Sequence, residues 1–453
     1  MILTAINRII VAIQGKNTTE PITIAKAQII EFTWLATGQV IQLFLAFISM
    51  KLMTSVGPAE YGKFILVSSV AGVFALLFFG PLEQGYIRFY FDYTENPHHR
   101  TQYLKSLTQI LKLSNSVFIL VAFLGLCTGI VFFKIDPIFF ITASLMVIIG
   151  SSGSPIQGMM NALRLRKYSA IIQVGEKIIV IVSLIALLNL WKRNVDSIII
   201  SVVMGTGIGL LFRYIKYISQ YNEVSASIEN RMSDKYIFNE IRNRMARYCY
   251  PFVLWGGITW LQLFGERWII SFLLDSTQVG KYGFASTLLN STVVLAATIL
   301  AQFATPIVYK LYSSQNENSR KRGLKVIKIL CWSTIILFST FALIFFLYGA
   351  DIITLFSLST FSIPTITLVT LCLGIGLFYV TQALTCIGLA LHRPNIYLIP
   401  KLTTAGLSVI GYYFGCKYFG ITGVAGVIVI VNSIYYFLVN RSNKILTRSS
   451  SGC

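Results

Sequence analysis

Stretches of about 20 apolar residues, each long enough to carry an α-helix across the roughly 30 Å hydrocarbon layer of a bilayer, recur along the chain between short polar breaks. There are twelve, at 34–53, 64–82, 114–133, 138–158, 170–190, 196–212, 250–272, 283–305, 326–347, 364–388, 396–416 and 421–439. A water-soluble fold could not cover that much apolar sequence, because only 12 % of residues are charged, against about 25 % in an ordinary soluble domain. The expectation is an all-α polytopic membrane protein. Span six is short, and the break between spans nine and ten is expected at Gly349, Asp351 and Pro364.

A formal charge of +20 would suggest a nucleic-acid partner in a soluble chain. Here its placement gives another account. With the N-terminus cytoplasmic, 27 Lys and Arg fall in cytoplasmic segments and 7 in outer ones, leaving Lys177, Arg267 and Lys401 within spans. The positive-inside rule therefore places both termini inside, and no nucleic acid is needed. Seven cysteines form no CxxC pair and no Cys/His cluster, so they read as small core hydrophobes, with no metal site and no cofactor expected. Met1 to Glu31 lacks a charged region leading into an apolar stretch and a cleavage site, so insertion is expected to rely on the later spans.

The longest polar interval, Arg213 to Tyr248, divides the spans six plus six. The expected organisation is a cytoplasmic N-terminal segment (1–33), an N-lobe (34–212), a cytoplasmic linker (213–249), a C-lobe (250–440) and a cytoplasmic tail (441–453), with the two six-helix lobes around a central cavity. An internal repeat agrees: Glu60-Tyr61-Gly62 matches Lys281-Tyr282-Gly283, and Arg164 with Tyr168 matches Arg393 with Tyr397, at offsets of 221 and 229 residues. Two lobes around one interior suit a carrier. No outer loop could hold the catalytic carboxylates of a polymerase or glycosyltransferase, and no GxxxxGK[ST] loop is present, so neither an enzyme nor an ATPase is expected.

Ionisable residues within spans are costly and by default face a cavity or each other. In span seven, Trp255, Thr259, Gln262 and Glu266 form one stripe at i, i+4, i+7, i+11 spacing, with Arg267 beside Glu266. Arg267 either faces the cavity or serves a structural ion pair. Span five carries Ser169, Gln173, Glu176 and Lys177 along one edge, and span eleven carries Lys401, Thr404 and Ser408. Both lysines have stems long enough to snorkel to the headgroups; Glu176 has no such reach. Gln84 and Arg88 end span two, where Arg88 is either the rim of a substrate path or a membrane anchor. Gln42 on span one and Asn290 on span eight add polar edges that also suit interhelical hydrogen bonds.

Three stretches stand out together: Val56-Gly57-Pro58-Ala59-Glu60-Tyr61-Gly62 after span one, Val279-Gly280-Lys281-Tyr282-Gly283 after span seven, and Asn161-Ala162-Leu163-Arg164 closing span four. With twelve spans in two lobes, their order resembles the polysaccharide transporters, or Wzx-type O-antigen flippases, of the multidrug/oligosaccharidyl-lipid/polysaccharide exporter superfamily, from about residue 30 onward. The N-terminal segment departs from that pattern; Ile2, Ile6, Ile9, Ile10 and Ile13 suggest an interfacial helix. The resemblance implies translocation of an undecaprenyl-diphosphate-linked oligosaccharide, an O-antigen or similar repeat unit for lipopolysaccharide biosynthesis, across the bacterial inner membrane by alternating access. A polymerase and other polysaccharide-assembly proteins would be its partners. Arg267, Lys177, Lys401 and Arg88, with Gln262, Gln42 and Asn290, are then the residues expected to hold diphosphate and sugar, and Glu176 and Glu266 those to couple H⁺ or Na⁺. The alternatives are a multidrug or small-molecule antiporter, which acidic residues on span one would favour and which lacks them here, or a lipid II or teichoic-acid precursor flippase. Spans one and eight lack the inner arginines of peptidoglycan-precursor relatives, which favours a different repeat unit.

Overall fold

A computed structural model describes residues 23–90, 103–120, 137–163, 165–225, 234–313, 317–357, 361–391 and 393–449. The expected N-terminal interfacial helix, the later part of span three and Arg164 lie outside them. The described residues contain helices and no strand, as hydrocarbon demands of a backbone that must satisfy its own polar groups.

Helix α1 is Thr23–Thr54. Gly57, at φ +94°, then turns the chain so that Pro58 takes the first position of α2, which runs as Pro58–Phe74, a π-helical turn Ala75–Phe79 and Gly80–Tyr90. Helix α3 covers 103–120, and α4 is Pro137–Ser152 and Ser154–Ala162. Helices α5 (Arg166–Leu190) and α6 (Val195–Ser225) form an antiparallel pair, and α7 (Asp234–Leu273) contains Pro251. Helix α8 repeats the design of α2, with Ser276–Leu289, a π-helical turn Asn290–Val294 and Leu295–Ser313. Helices α9 (Glu317–Phe356) and α10 (Thr365–Ala390) follow. The last stretch, Leu398–Ser449, breaks at Gly420, where φ is +60°, into α11 (398–419) and α12 (421–449).

That glycine is required. A straight helix of 52 residues would run about 78 Å, more than twice the hydrocarbon thickness. The fold-back brings α12 against α11 so closely that a Cβ on Gly423 would collide with the Gly415 carbonyl oxygen. Gly423→Val should cost about 1–3 kcal/mol by overpacking. The expected result is a lower Tm in detergent, with no loss for Gly426→Ala, which has open space around its Cα.

Nine described helices are long and apolar enough to cross a membrane, with α11 and α12 counted as one. Helix α3 is described only as far as residue 120, and α7 carries Gln262, Glu266 and Arg267 within its apolar stretch. The architecture is therefore compatible with the twelve expected spans. One boundary is corrected. The short sixth span becomes the 31-residue α6, because its helix continues past the apolar stretch through Arg213. The break after span nine begins beside Gly349, as expected: the backbone leaves helical geometry at Tyr348 (φ −123°, ψ 16°), a further helical stretch runs to Phe356, and Pro364 caps α10.

The chain forms two compact units. One comprises Thr23–Val56 and Lys63–Trp260, with a core of Tyr86, Tyr103, Leu107, Met159, Tyr217 and Met245. The other contains Gly57–Gly62 and everything described from Leu261 onward, with Ala304, Val308, Val326, Ile327, Leu330 and Ile387 at its centre. The first turn of α2 thus belongs to the second unit and the rest of that helix to the first. Cys249, Cys372, Cys386 and Cys416 are buried and free, as expected of core hydrophobes. Leu190, Phe272, Ile399 and Phe419 project outward in keeping with a lipid surround.

Candidate functional site

In the second unit the polar residues of α7 and α11 meet. Lys401, Thr404, Ser408 and Tyr412 repeat at i, i+3, i+7, i+11, so one face of α11 carries all four, and each is buried. Gln262 of α7 donates its amide to Thr404 Oγ1 at 2.8 Å, and the Tyr412 hydroxyl reaches the Gln262 carbonyl at 3.4 Å. One turn along α7, Glu266 and Arg267 are 3 % and 7 % exposed, well removed from water for two charged residues. Arg267 Nε lies 3.8 Å from Glu266 Oε1, too far for a hydrogen bond. The guanidinium sits 4.8 Å from the Phe264 ring centroid. Glu266 Oε2 and Arg267 Nε have no hydrogen-bond partner.

The phenol of Tyr282 is directed at the Glu266 carboxyl, and Tyr61 is buried in the same unit. Tyr61 in turn donates to Thr287 Oγ1 at 3.3 Å and packs edge-on against Phe361, with ring centroids 5.8 Å apart. The two repeat tyrosines, Tyr61 and Tyr282, are both buried, and Tyr282 adjoins the charged pair. The other repeat pair diverges: Tyr397 is fully buried, its hydroxyl binding Asn443 at 2.5 Å, whereas Tyr168 is exposed beneath Lys216. Asn290 opens the π-helical turn of α8; it is exposed and reaches Ser286 Oγ at 3.4 Å.

The first unit holds a second polar cluster. Gln42 of α1 donates to Gln173 of α5 at 3.0 Å, and Gln173 and Gln157 both donate to Ser169 Oγ, at 3.0 and 2.5 Å. Glu176 continues this edge and binds Arg213 of α6 at 2.8 Å, the two side chains being 13 % and 11 % exposed. Gly209 makes room for that carboxylate, since a Cβ there would collide with Glu176 Oε1. Sequence reading assigned Arg213 to the linker. Glu176 nevertheless lies 14 residues before the end of α5 and Arg213 18 residues after the start of α6, so in an antiparallel pair they fall within about one helical turn of the same height.

The expected residues therefore fall into two groups. Arg267, Glu266, Gln262 and Lys401 cluster in one unit, and Gln42 and Glu176 belong to the polar edge of the other. Lys177 and Lys401, expected to behave alike, do not: Lys177 is exposed, while Lys401 is 2 % exposed. The side chain of Arg88 lies outside the described residues. Residues 209 and 213 and the tyrosines 61, 282 and 412 were not expected at a site; for the first two tyrosines the repeat was the available signal.

No curated protein matches the chain. Its fold is similar to that of the lipid II flippase MurJ in an inward closed conformation, with TM-score 0.68 and 15 % identity over 92 % of this chain and 87 % of that one. A mutant of the Vibrio cholerae MATE transporter VcmN aligns with TM-score 0.62 and 11 % identity over 94 % and 98 %. A MOP superfamily transporter from Pyrococcus furiosus aligns with TM-score 0.60 and 12 % identity over 91 % and 92 %. At these identities the likeness concerns the fold. The profile described as "Polysaccharide biosynthesis protein" matches residues 31–312, well over half of the sequence and including both copies of the Tyr-Gly motif and the charged stretch of α7, so this multi-pass membrane protein belongs to the polysaccharide biosynthesis protein family.

Proposed function

We propose that the protein is a flippase that carries an undecaprenyl-diphosphate-linked oligosaccharide from the cytoplasmic to the periplasmic leaflet of the bacterial inner membrane by alternating access. The observation that carries this reading is Arg267, a guanidinium kept inside a membrane-crossing segment with no hydrogen-bonded ion pair to its Glu266 neighbour. A charge left so poorly matched is expensive in a stable fold and useful in a binding site. Guanidinium remains charged when desolvated and offers a fork of donors suited to phosphate oxygens. Gln262, Lys401 and the hydroxyls of Thr404 and Ser408 extend the polar surface that sugar hydroxyls need, since an unsolvated hydroxyl in hydrocarbon costs several kcal/mol.

The test is reconstitution. Purified protein in liposomes should move a fluorescent undecaprenyl-diphosphate oligosaccharide between leaflets, and expression should restore surface polysaccharide in a flippase-null strain. Transport of lipid II or of cationic drugs, with no movement of the oligosaccharide, would overturn the reading. The same reading requires a topology with both termini cytoplasmic. Single cysteines at Asn230 and Asn316 should react only from the cytoplasm and one at Asp351 only from outside; labelling of Asn230 from outside would overturn the two-lobe arrangement.

A further inference from the structure

The second unit has a cavity that the polar cluster of α7 and α11 does not use. Helices α7 and α8, α9 and α10, and α11 and α12 meet in pairs at one end of that unit, at Leu274, just before Pro364 and at Gly420. Residues beside all three junctions enclose about 790 Å³, within the range of about 300–1,000 Å³ typical of ligand sites. The proposed topology puts this end outside.

The polar groups of the wall belong to Gln278, Lys281, Thr354, Ser362 and Thr422. The Thr354 hydroxyl donates to the Asp351 carbonyl at 2.9 Å, which leaves its own oxygen able to accept, and Thr422 shares a 2.7 Å bond with Thr367. Lys281 is half-buried and, among the described residues, has no ion-pair partner. Lys417 of the same unit differs, being exposed and lying over the rings of Tyr413 and Tyr418 at 6.0 and 5.9 Å. Asp275, the acid nearest Lys281 in sequence, is committed to capping α8, where it accepts from Gln278 N at 2.7 Å. The cavity therefore holds a cation that no carboxylate of the protein answers. Much of the remaining wall is apolar, and Phe419, 75 % exposed, offers an open ring there.

These groups match an acidic sugar. The C–H face of a hexose packs on an aromatic ring, its hydroxyls pair with hydroxyls and amides, and a carboxylate takes a charge-assisted hydrogen bond from an ammonium. One amide and three hydroxyls favour a sugar over a phospholipid, whose headgroup offers fewer hydroxyls than a hexose. We propose that this outer cavity binds an acidic sugar residue of the exported oligosaccharide, with Lys281 holding its carboxylate. The proposal rests on the reading of the protein as an oligosaccharide carrier and adds the class of sugar carried.

The test uses Ala350, which is exposed and lines the cavity without a polar group of its own. In full-length protein with its seven cysteines replaced, Ala350→Cys is labelled with N-ethylmaleimide in detergent, where membrane sidedness plays no part. The disaccharide of glucuronic acid and N-acetylglucosamine should slow labelling by about tenfold once it fills the site. Its methyl ester, nearly the same shape without the charge, should protect several-fold less. Adding Lys281→Gln should erase the difference between acid and ester, and Lys281→Arg should keep it. Equal protection by acid and ester, no protection by the acid, or protection by phosphatidylglycerol in place of the acid would overturn the proposal. If the cysteine-free chain fails to accumulate, saturation-transfer NMR of acid and ester on the native protein makes the same comparison. Because labelling needs no transport, protection without flipping of lipid-linked oligosaccharide would leave the cavity's ligand standing and sink the proposed function, and flipping without protection would do the reverse.

Discussion

Arg267→Ala is expected to abolish complementation of a flippase-null strain and to reduce flipping in liposomes by about 100-fold or more, if the guanidinium makes two charge-assisted hydrogen bonds to the diphosphate at about 1.5–3 kcal/mol each. Arg267→Lys should keep part of the activity, because an ammonium supplies the charge without the fork. Normal surface polysaccharide with Arg267→Ala would sink the assignment. The substitution also leaves Glu266 buried beside no cation, and breaking a buried pair can itself cost about 3–5 kcal/mol. The double variant Arg267→Ala/Glu266→Gln separates the two effects. If Arg267 is a binding group, the double variant accumulates in the membrane and remains inactive. If the pair is structural, removing both charges restores activity along with the protein.

The second large effect concerns Glu176 and energy coupling. Directional export by a chain with no nucleotide-binding loop needs either removal of product or an ion gradient, and a carboxylate whose occupancy by H⁺ or Na⁺ changes between two states is a simple coupling device. Glu176 adjoins the amide chain of Gln42, Gln157, Ser169 and Gln173, yet its Oε2 is held by Arg213 at 2.8 Å, while Oε1 has no partner. Glu176→Gln alone should therefore lower accumulation, since it leaves the Arg213 charge buried and uncompensated, again at about 3–5 kcal/mol. Glu176→Gln/Arg213→Gln should recover the fold. In liposomes, an imposed proton or sodium gradient should accelerate flipping by the native protein and not by the double variant. Equal acceleration of both would remove Glu176 from the coupling role and leave the pair as a structural link between α5 and α6.

The secondary structure and the membrane-spanning character of this protein were legible in its sequence for a plain reason. Apolar stretches of bilayer length have one stable outcome in lipid, and each is decided within about 20 neighbouring residues. The face of α11 was equally readable, because Lys401, Thr404 and Ser408 recur at helical spacing and the helix obeys it. One boundary was less so: α6 runs on beyond its apolar segment because a helix, once begun, extends at little cost past the point where hydropathy falls.

What the sequence by itself determined, then, was a set of apolar helices, the positions of their polar interruptions and a repeated Tyr-Gly signal at helix starts. It could not say which interruptions meet. Glu176 meets Arg213 rather than remaining alone, Lys401 is enclosed while Lys177 is exposed, and Tyr61 crosses from the first half of the chain to Thr287 and Phe361 of the second. Each of these depends on contacts between residues far apart in sequence, 37 positions in the case of Glu176 and Arg213. Helical periodicity specifies the direction of a side chain relative to its own axis, and only the packing of one axis against another decides what lies in that direction.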